Sequence, residues 1–476
     1  MSCRMVQTIT SGGGQLLLLV TIGFAMILDG LDGTIVNVAL PEIAESYGIG
    51  TSGTSWVVTV YFLMMAGLIL VFGKISDKGG IKKVLTFGFL VFVLGSFLCG
   101  ISPSLGVLLA SRAIQGVGAA MLAASATMLG VKFMPKERIG VALSLVVLGG
   151  SVGAALGPAL GAVLTSIGSW HWIFFINVPL GLIAFFIARK AVPDDTGFDK
   201  SSFDLKGSVL LFIALVMGLY VVESLPSHGF TTTSAVALVL FVILFAVFVV
   251  YERRVETPVL NLRLFKSVRF DTATVVFLMV NLIFMGAMYL VPFFMRVELG
   301  FGTLQSGAYL MVPAVFSLIF CLWVGKATAT RGNKVFAAVS CVMLLIYTVM
   351  AANYSAEMSI AMLVVSFAVL GAVFGIGGGP LGGRMIENVP DSERAGASSI
   401  LSFIMYFSSA LGTALFSGLF NLGSGEGGAG ARCPTWSPPF QDGFQFAMLV
   451  GIVLAVIALV LTLALRDGRG KKAEAS

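Results

Sequence analysis

The sequence predicts an all-α integral membrane protein of about fourteen transmembrane helices. Three observations carry the prediction: apolar composition, apolar runs of spanning length, and a one-sided placement of positive charge. Of 476 residues, 58% are hydrophobic and 11% are charged, against roughly 25% charged in soluble domains. No water-soluble fold buries that much apolar surface. The runs reach lengths of about 18 to 28 residues, each able to cross ~30 Å of hydrocarbon at 1.5 Å per residue.

Taken in order, hydropathy places spans at roughly Gln15–Leu40, Ser55–Ile75, Val84–Ile101, Gly106–Phe133, Gly140–Ile167, Trp172–Ala188, Gly207–Val222 and Ser234–Tyr251. Six more follow at about Asp271–Val297, Leu304–Ala327, Val335–Ala352, Ile360–Leu381, Ala395–Leu422 and Gly443–Leu465. The short Gly207–Val222 stretch makes twelve or thirteen spans the rival count. Charge tests the count independently, because cytoplasmic loops are enriched in Lys and Arg. With the N-terminus inside, 26 of the 29 basic residues fall in inner segments, Arg296 and Arg432 fall outside, and Arg112 lies within the membrane. Removing or adding one span scrambles that partition. The expected placement is therefore the inner cell membrane, multi-pass, with both termini cytoplasmic.

The net charge of +6 is explained by these inner loops facing an anionic leaflet, which argues against a nucleic-acid partner. No cleavable signal is expected, because the first apolar run is too long and carries aspartate. The cysteines at 3, 99, 321, 341 and 433 show no metal-type spacing and no disulfide framework. The Gly375–Pro380 stretch lacks the Gly-Lys-Ser/Thr that a phosphate loop needs. With His171 and His228 the only histidines, no Ser/His/Asp grouping forms, so an enzyme is not expected.

Two loops repeat. Gly73, Lys74, Gly80 and Lys82 recur as Gly325, Lys326, Gly332 and Lys334, 252 residues later, and Pro135-Lys136-Glu137-Arg138-Ile139-Gly140 is echoed from Pro390 to Gly396. Duplication follows, as six spans, two inserted spans and six spans. The expected domains are 1–190, a six-helix bundle; 191–270, two inserted helices with flanking inner loops; and 271–476, a second six-helix bundle. Parallel repeats of this kind place substrate between the halves near the midplane.

Five stretches carry a family resemblance. They are Leu31-Asp32-Gly33-Thr34-Ile35-Val36-Asn37-Val38-Ala39-Leu40-Pro41, the inner loop Gly73–Lys83, Arg112-Ala113-Ile114-Gln115-Gly116-Val117-Gly118, Gly153-Ala154-Ala155-Leu156-Gly157-Pro158-Ala159-Leu160-Gly161, and Trp170-His171-Trp172-Ile173-Phe174-Phe175-Ile176-Asn177-Val178-Pro179. Together they resemble the major facilitator superfamily and, within it, the fourteen-span drug/proton antiporters. The inner loop departs from the superfamily pattern, with Lys78 and Ile81 at its two usual arginine positions. The resemblance implies the major facilitator fold, export driven by a proton gradient without a cofactor, and a buried arginine beside first-helix carboxylates.

The residues themselves say what such sites do. Asp29 and Asp32 lie three apart on one helix face, where ionised carboxylates are costly and repel one another. Such a pair can exchange protons for a cationic substrate; the plainer reading is hydrogen bonding to neighbouring helices. Asn281 falls opposite Asp29 at the repeat offset of 252 residues, a candidate cavity position. Arg112 can hold the carboxylates in check or simply bond backbone carbonyls. Gly149, Gly153, Gly157 and Gly161 recur every four residues beside Pro158, giving a smooth face for gating or for close packing. In the loop, Gly73, Asp77, Lys78 and Gly80 form a candidate inner latch, or a solvated basic turn. Glu223, at a span end, reads as an interfacial anchor. Phe24, Tyr61, Phe62, Phe403 and Tyr406 could line a cavity, although lipid-facing aromatics are commoner.

The reading is a monomeric proton-coupled exporter of hydrophobic, cationic small molecules, with membrane lipids as its other contacts. A dedicated exporter of one endogenous metabolite is the alternative. A non-transporting membrane sensor or scaffold is a third reading.

Overall fold

Every long apolar run is helical, because a helix bonds its own backbone groups where no water can. The computed structural model describes residues 12–195, 204–255, 258–387, 389–390, 393–425 and 439–464. Arg4, Lys200, Arg432, Cys433 and the basic C-terminal residues of the expected topology lie outside them. The helices are α1 (Gly12–Tyr47), α2 (Thr51–Ile75), α3 (Ile81–Gly100), α4 (Leu105–Phe133), α5 (Ile139–Ile167), α6 (Trp172–Phe175) and α7 (Asn177–Ala191). Then come α8 (Leu205–His228), α9 (Thr232–Glu252), α10 (Val268–Val297), α11 (Thr303–Arg331), α12 (Asn333–Ala352), α13 (Ile360–Glu387), α14 (Arg394–Gly423) and α15 (Pro439–Ala464).

Among the described residues, thirteen continuous stretches are long and apolar enough to cross a membrane. One of them, Thr51–Gly100, has 50 residues, which at 1.5 Å each is far more than a single crossing needs. It doubles back at the turn Ser76–Gly80, where Gly79 takes the left-handed φ of 105° that only glycine adopts freely. That fold-back lets α4 pack along both α2 and α3, and it raises the crossings to fourteen. Conversely, α6 and α7 make one crossing: Pro179 has no N–H to offer Phe175, so the helix merely loosens around Ile176.

The expected Gly207–Val222 span is longer in the structure, running to His228 as α8. Glu223 and Ser224 are 2% and 7% exposed, so the helix continues through a packed seam instead of ending in water.

Packing repeats across the two halves. The pairs α1–α5, α2–α4, α3–α4, α3–α7 and α1–α7 reappear as α10–α14, α11–α13, α12–α13, α12–α15 and α10–α15. The halves meet along α2–α14 and along α5–α11, two seams that the repeat exchanges. The α8–α9 hairpin breaks this symmetry. Helix α8 lies against both α2 and α14, covering one seam, whereas α9 packs on α8 and turns Val239, Val242 and Ile243 outward, as a lipid-facing helix does.

Below, the near face is the end carrying the start of α1 and the Ser76–Gly80 turn. The far face carries the α1–α2 turn.

Candidate functional site

Inside the first half, close backbone approach builds the site. A Cβ on Gly95 would fall 2.5 Å from the Gln115 nitrogen, and one on Gly116 would fall 2.8 Å from the Tyr61 carbonyl. Glycine at these positions lets α3 and α2 close on α4. That closure surrounds Arg112, which is 1% exposed. Its Nη1 donates to Asp32 Oδ2 at 2.6 Å and to Gln115 Oε1 at 2.7 Å, and its Nε donates to the Val57 carbonyl at 3.0 Å. The guanidinium lies 4.1 Å above the Tyr61 ring, a cation–π contact.

Asp32 is fully buried, and its other oxygen accepts from Gln115 Nε2 at 2.7 Å and Asn177 Nδ2 at 2.8 Å. Gln115 also donates to Ser96 at 2.8 Å. Side chains of α1, α3, α4 and α7 and a carbonyl of α2 thus converge on one buried ion pair. A buried pair costs desolvation and is tolerated when its remaining donors and acceptors are met.

Asp29 lies elsewhere. It is partly exposed, and its Oδ2 accepts from the Tyr406 hydroxyl of α14 at 3.0 Å, so it bridges the halves at mid-depth. Phe62 of α2 stacks on Tyr406, with centroids 6.4 Å apart. The first-helix carboxylates therefore part company, Asp32 into its own bundle and Asp29 toward the other half. Asn281 is buried and donates to the Met405 carbonyl at 2.8 Å, Ser408 at 2.6 Å and Ser409 at 3.1 Å. These contacts are to α14 in its own bundle.

The glycine face of α5 meets α1. A Cβ on Gly153 or Gly157 would strike the Ile27 carbonyl or the Thr34 hydroxyl, and Gly149 and Gly161 lie against Met26 and Ile35. Contact with the other half comes from the flank of α5, where the Pro158 carbonyl and Ala162 press on Gly307 of α11. At the near face, Lys132 of α4 pairs with Asp77 at 3.3 Å and also reaches the Asp77 and Ser76 carbonyls. This contact stays within the first half. Gly80 is buried at the start of α3, whereas a Cβ on Gly73 would meet nothing within 4 Å; Lys78 lies in the same turn.

At the far face the halves are stitched together. Arg296 pairs with Glu45 at 3.3 Å, Thr51 donates to Asn421 at 3.2 Å, the Thr54 and Tyr289 hydroxyls lie 3.2 Å apart, and Thr303 bonds Glu42. Glu223 is no interfacial anchor, because it is buried among hydroxyls of α2 and α14.

Sequence reasoning missed Gln115 and Asn177, although both stand inside quoted motifs. It had no signal for the Asp29–Tyr406 bond between residues 377 positions apart.

The family profile described as Major Facilitator Superfamily matches residues 22–413. The chain belongs to the major facilitator superfamily. It is 30% identical over 396 residues to a putative multidrug resistance protein MdtD of Pectobacterium atrosepticum, covering 83% of this chain and 84% of that one. It is 29% identical over 405 residues to the riboflavin transporter RibZ of Clostridioides difficile, covering 85% and 88%. A bacterial homologue of the human lysosomal transporter Spinster, solved in an inward-facing and occupied conformation, superposes with a TM-score of 0.67 at 15% identity, covering 95% and 97%. This likeness is one of fold. As a member of this superfamily the chain is a multi-pass membrane transporter and not an enzyme.

Proposed function

We propose that this transporter exports hydrophobic, cationic small molecules in exchange for protons, by alternating access, as a monomer in the inner membrane with both termini cytoplasmic. The observation that carries the reading is Asp29, a partly exposed carboxylate at mid-depth whose described hydrogen bond comes from the opposite half. A carboxylate so placed trades a proton for a cation only when the halves move, because its partner moves with them. The Arg112–Asp32 pair is the rigid frame that holds α1 in register. The flank of α5 at Pro158 is the pivot against α11, and the Lys132–Asp77 contact keeps the near-face turn folded as the bundles rock. The relatives named multidrug resistance proteins agree with this reading.

The test is ethidium efflux from everted vesicles or loaded cells. Asp29→Asn keeps an acceptor for Tyr406 but cannot ionise, so efflux should fall at least about tenfold, the loss of an interaction of ~1.4 kcal/mol or more, with thermal stability nearly unchanged. Tyr406→Phe should cost less. Undiminished efflux in Asp29→Asn under a collapsed proton gradient would reject the mechanism. The RibZ relative favours a second reading, a dedicated exporter of one metabolite; a thermal-shift screen in which one flavin-like or other compound alone protects the protein would select it.

A further inference from the structure

The inserted hairpin is given no task by the reading above, yet its helix α8 is fitted closely to the α2–α14 seam. Phe212 of α8 fills the space where Gly67 of α2 lacks a side chain. One face further along, Tyr220 meets Trp56 at 6.3 Å between ring centroids. These two contacts fix α8 in register along α2. They bring Glu223, 2% exposed, to the level of Ser52 and Ser55, which lie three apart on one face of α2, and of Ser417 on α14.

All three hydroxyls converge on one carboxylate oxygen. Glu223 Oε1 lies 3.2 Å from Ser52 Oγ, 2.7 Å from Ser55 Oγ and 3.1 Å from Ser417 Oγ. The Ser55 hydroxyl also lies 2.7 Å from the Ser52 carbonyl, but it has one proton for two acceptors. When Glu223 is ionised, Ser55 can donate to it, and the carboxylate accepts from both halves of the molecule. If Ser55 donates to the Ser52 carbonyl instead, Glu223 must supply the proton between them, and a protonated carboxyl donates to Ser55. Both arrangements satisfy the geometry, and they differ by one proton.

We propose that Glu223 is a second proton-binding site, in which the ionised carboxylate clasps α2 of the first half to α14 of the second and protonation loosens the clasp on α14. A proton arriving from water at the far face adds to the carboxylate, which then donates to Ser55, while Ser55 turns its own proton to the Ser52 carbonyl. The bond from Ser417 changes from charge-assisted to neutral and loses about half its strength. The titratable group that faces Glu223 from α10 is the Tyr289 phenol, which bonds Thr51 and Thr54 of α2; α2 and α14 present hydroxyls and the Asn421 amide. Helix α8 thereby makes opening of one seam answer to protonation, and the α5–α11 seam, which carries no inserted helix, stays free of this control.

This inference rests on the alternating-access reading, so the test measures seam separation and not efflux. Spin labels are placed on Gly50→Cys and Leu422→Cys, at the far ends of α2 and α14, in the full chain with its native cysteines replaced and reconstituted in nanodiscs. Acidification from about pH 9 to about pH 4 covers any carboxylate titration. The parent should show its distance distribution move outward on acidification, and E223Q should lose that shift. S417A, a small change that leaves α8 intact, should be wide at both pH values. An E223Q protein whose distances still respond to pH as the parent's do, or an S417A protein indistinguishable from the parent, would overturn the proposal. Should efflux prove independent of protons while the E223Q distances lose their pH response, the exchange reading falls and the clasp stands.

Discussion

The two halves share one packing plan and differ in what they bury. In the first, α1 and α4 enclose an ion pair, Asp32 and Arg112, with Gln115 and Asn177 completing its hydrogen bonds. In the second, Asn281 of α10, at the repeat position of Asp29, is neutral and spends its amide on two serines and a carbonyl of α14, and a buried cation, Arg384, stands near the C-terminal end of α13. The near-face turns differ in the same way. Lys132 reaches back to Asp77 in one, whereas the amide of Asn333 donates to Glu387 at 2.9 Å in the other. The helix contacts, which depend on small residues and shape, recur in both halves, while the buried chemistry differs. Where the halves meet at mid-depth, α1 supplies the Asp29 carboxylate and α14 contributes the hydroxyl of Tyr406.

The largest break in this comparison should come from Arg112→Ala. It leaves the Asp32 carboxylate in the interior without its cation, a loss of about 3–5 kcal/mol, read as a fall in the unfolding midpoint of the detergent-solubilised protein. Asn281→Ala in the second half should cost about 1 kcal/mol, because Ser408 and Ser409 already donate to the Ile404 and Met405 carbonyls. Equal losses would show that the halves are energetically alike and that the comparison is wrong.

Packing should respond symmetrically. A Cβ on Gly153 would strike the Ile27 carbonyl of α1, and one on Gly412 would strike the Leu282 carbonyl of α10. Gly153→Ala and Gly412→Ala should each destabilise by about 1–3 kcal/mol. Gly73→Ala, which meets nothing within 4 Å, should instead stabilise α2 by up to about 1 kcal/mol.

The smallest effect concerns the near-face tether. Asp195 accepts from the backbone N–H groups of Lys82 and Lys83 at 3.0 and 3.1 Å, and Asp194 pairs with Lys82 at 2.7 Å. The Lys82 ammonium holds the Asp194 carboxyl below the usual carboxylate range. A lowered pKa means that the tether is present above the ordinary value and lost as pH falls through the lowered one. The Lys82–Asp194 pair should therefore loosen in that acidic window, seen as a small step in the NMR shift of the Lys82 side chain that Asp194→Asn should abolish.

Much of the frame was legible beforehand. Apolar run length placed the spans, the loop echoes at a 252-residue offset agree with helix pairings that recur in the two halves, and Arg112 stood out as a basic residue within a span. Legibility stopped where a partner lay far along the chain. Their spacing puts Asp29 and Asp32 on one side of α1, and three residues of helix turn them by about 60° relative to each other. That rotation lets one bond within its own bundle and the other accept from Tyr406 of the other half. Glu223 looked like a water-facing anchor because a hydropathy run ends there, and nothing local reveals that Ser52, Ser55 and Ser417 cover it.

What the sequence by itself determined, then, is helix identity and crossing number, since these depend on local hydrophobicity and periodicity. Only the tertiary structure decided which carboxylate meets which half, that the glycine face of α5 serves α1, and that the inserted hairpin lies over one seam. Those choices arise from contacts between side chains scores or hundreds of residues apart, where shape and hydrogen-bond partners are set by packing and leave no periodic trace in the chain.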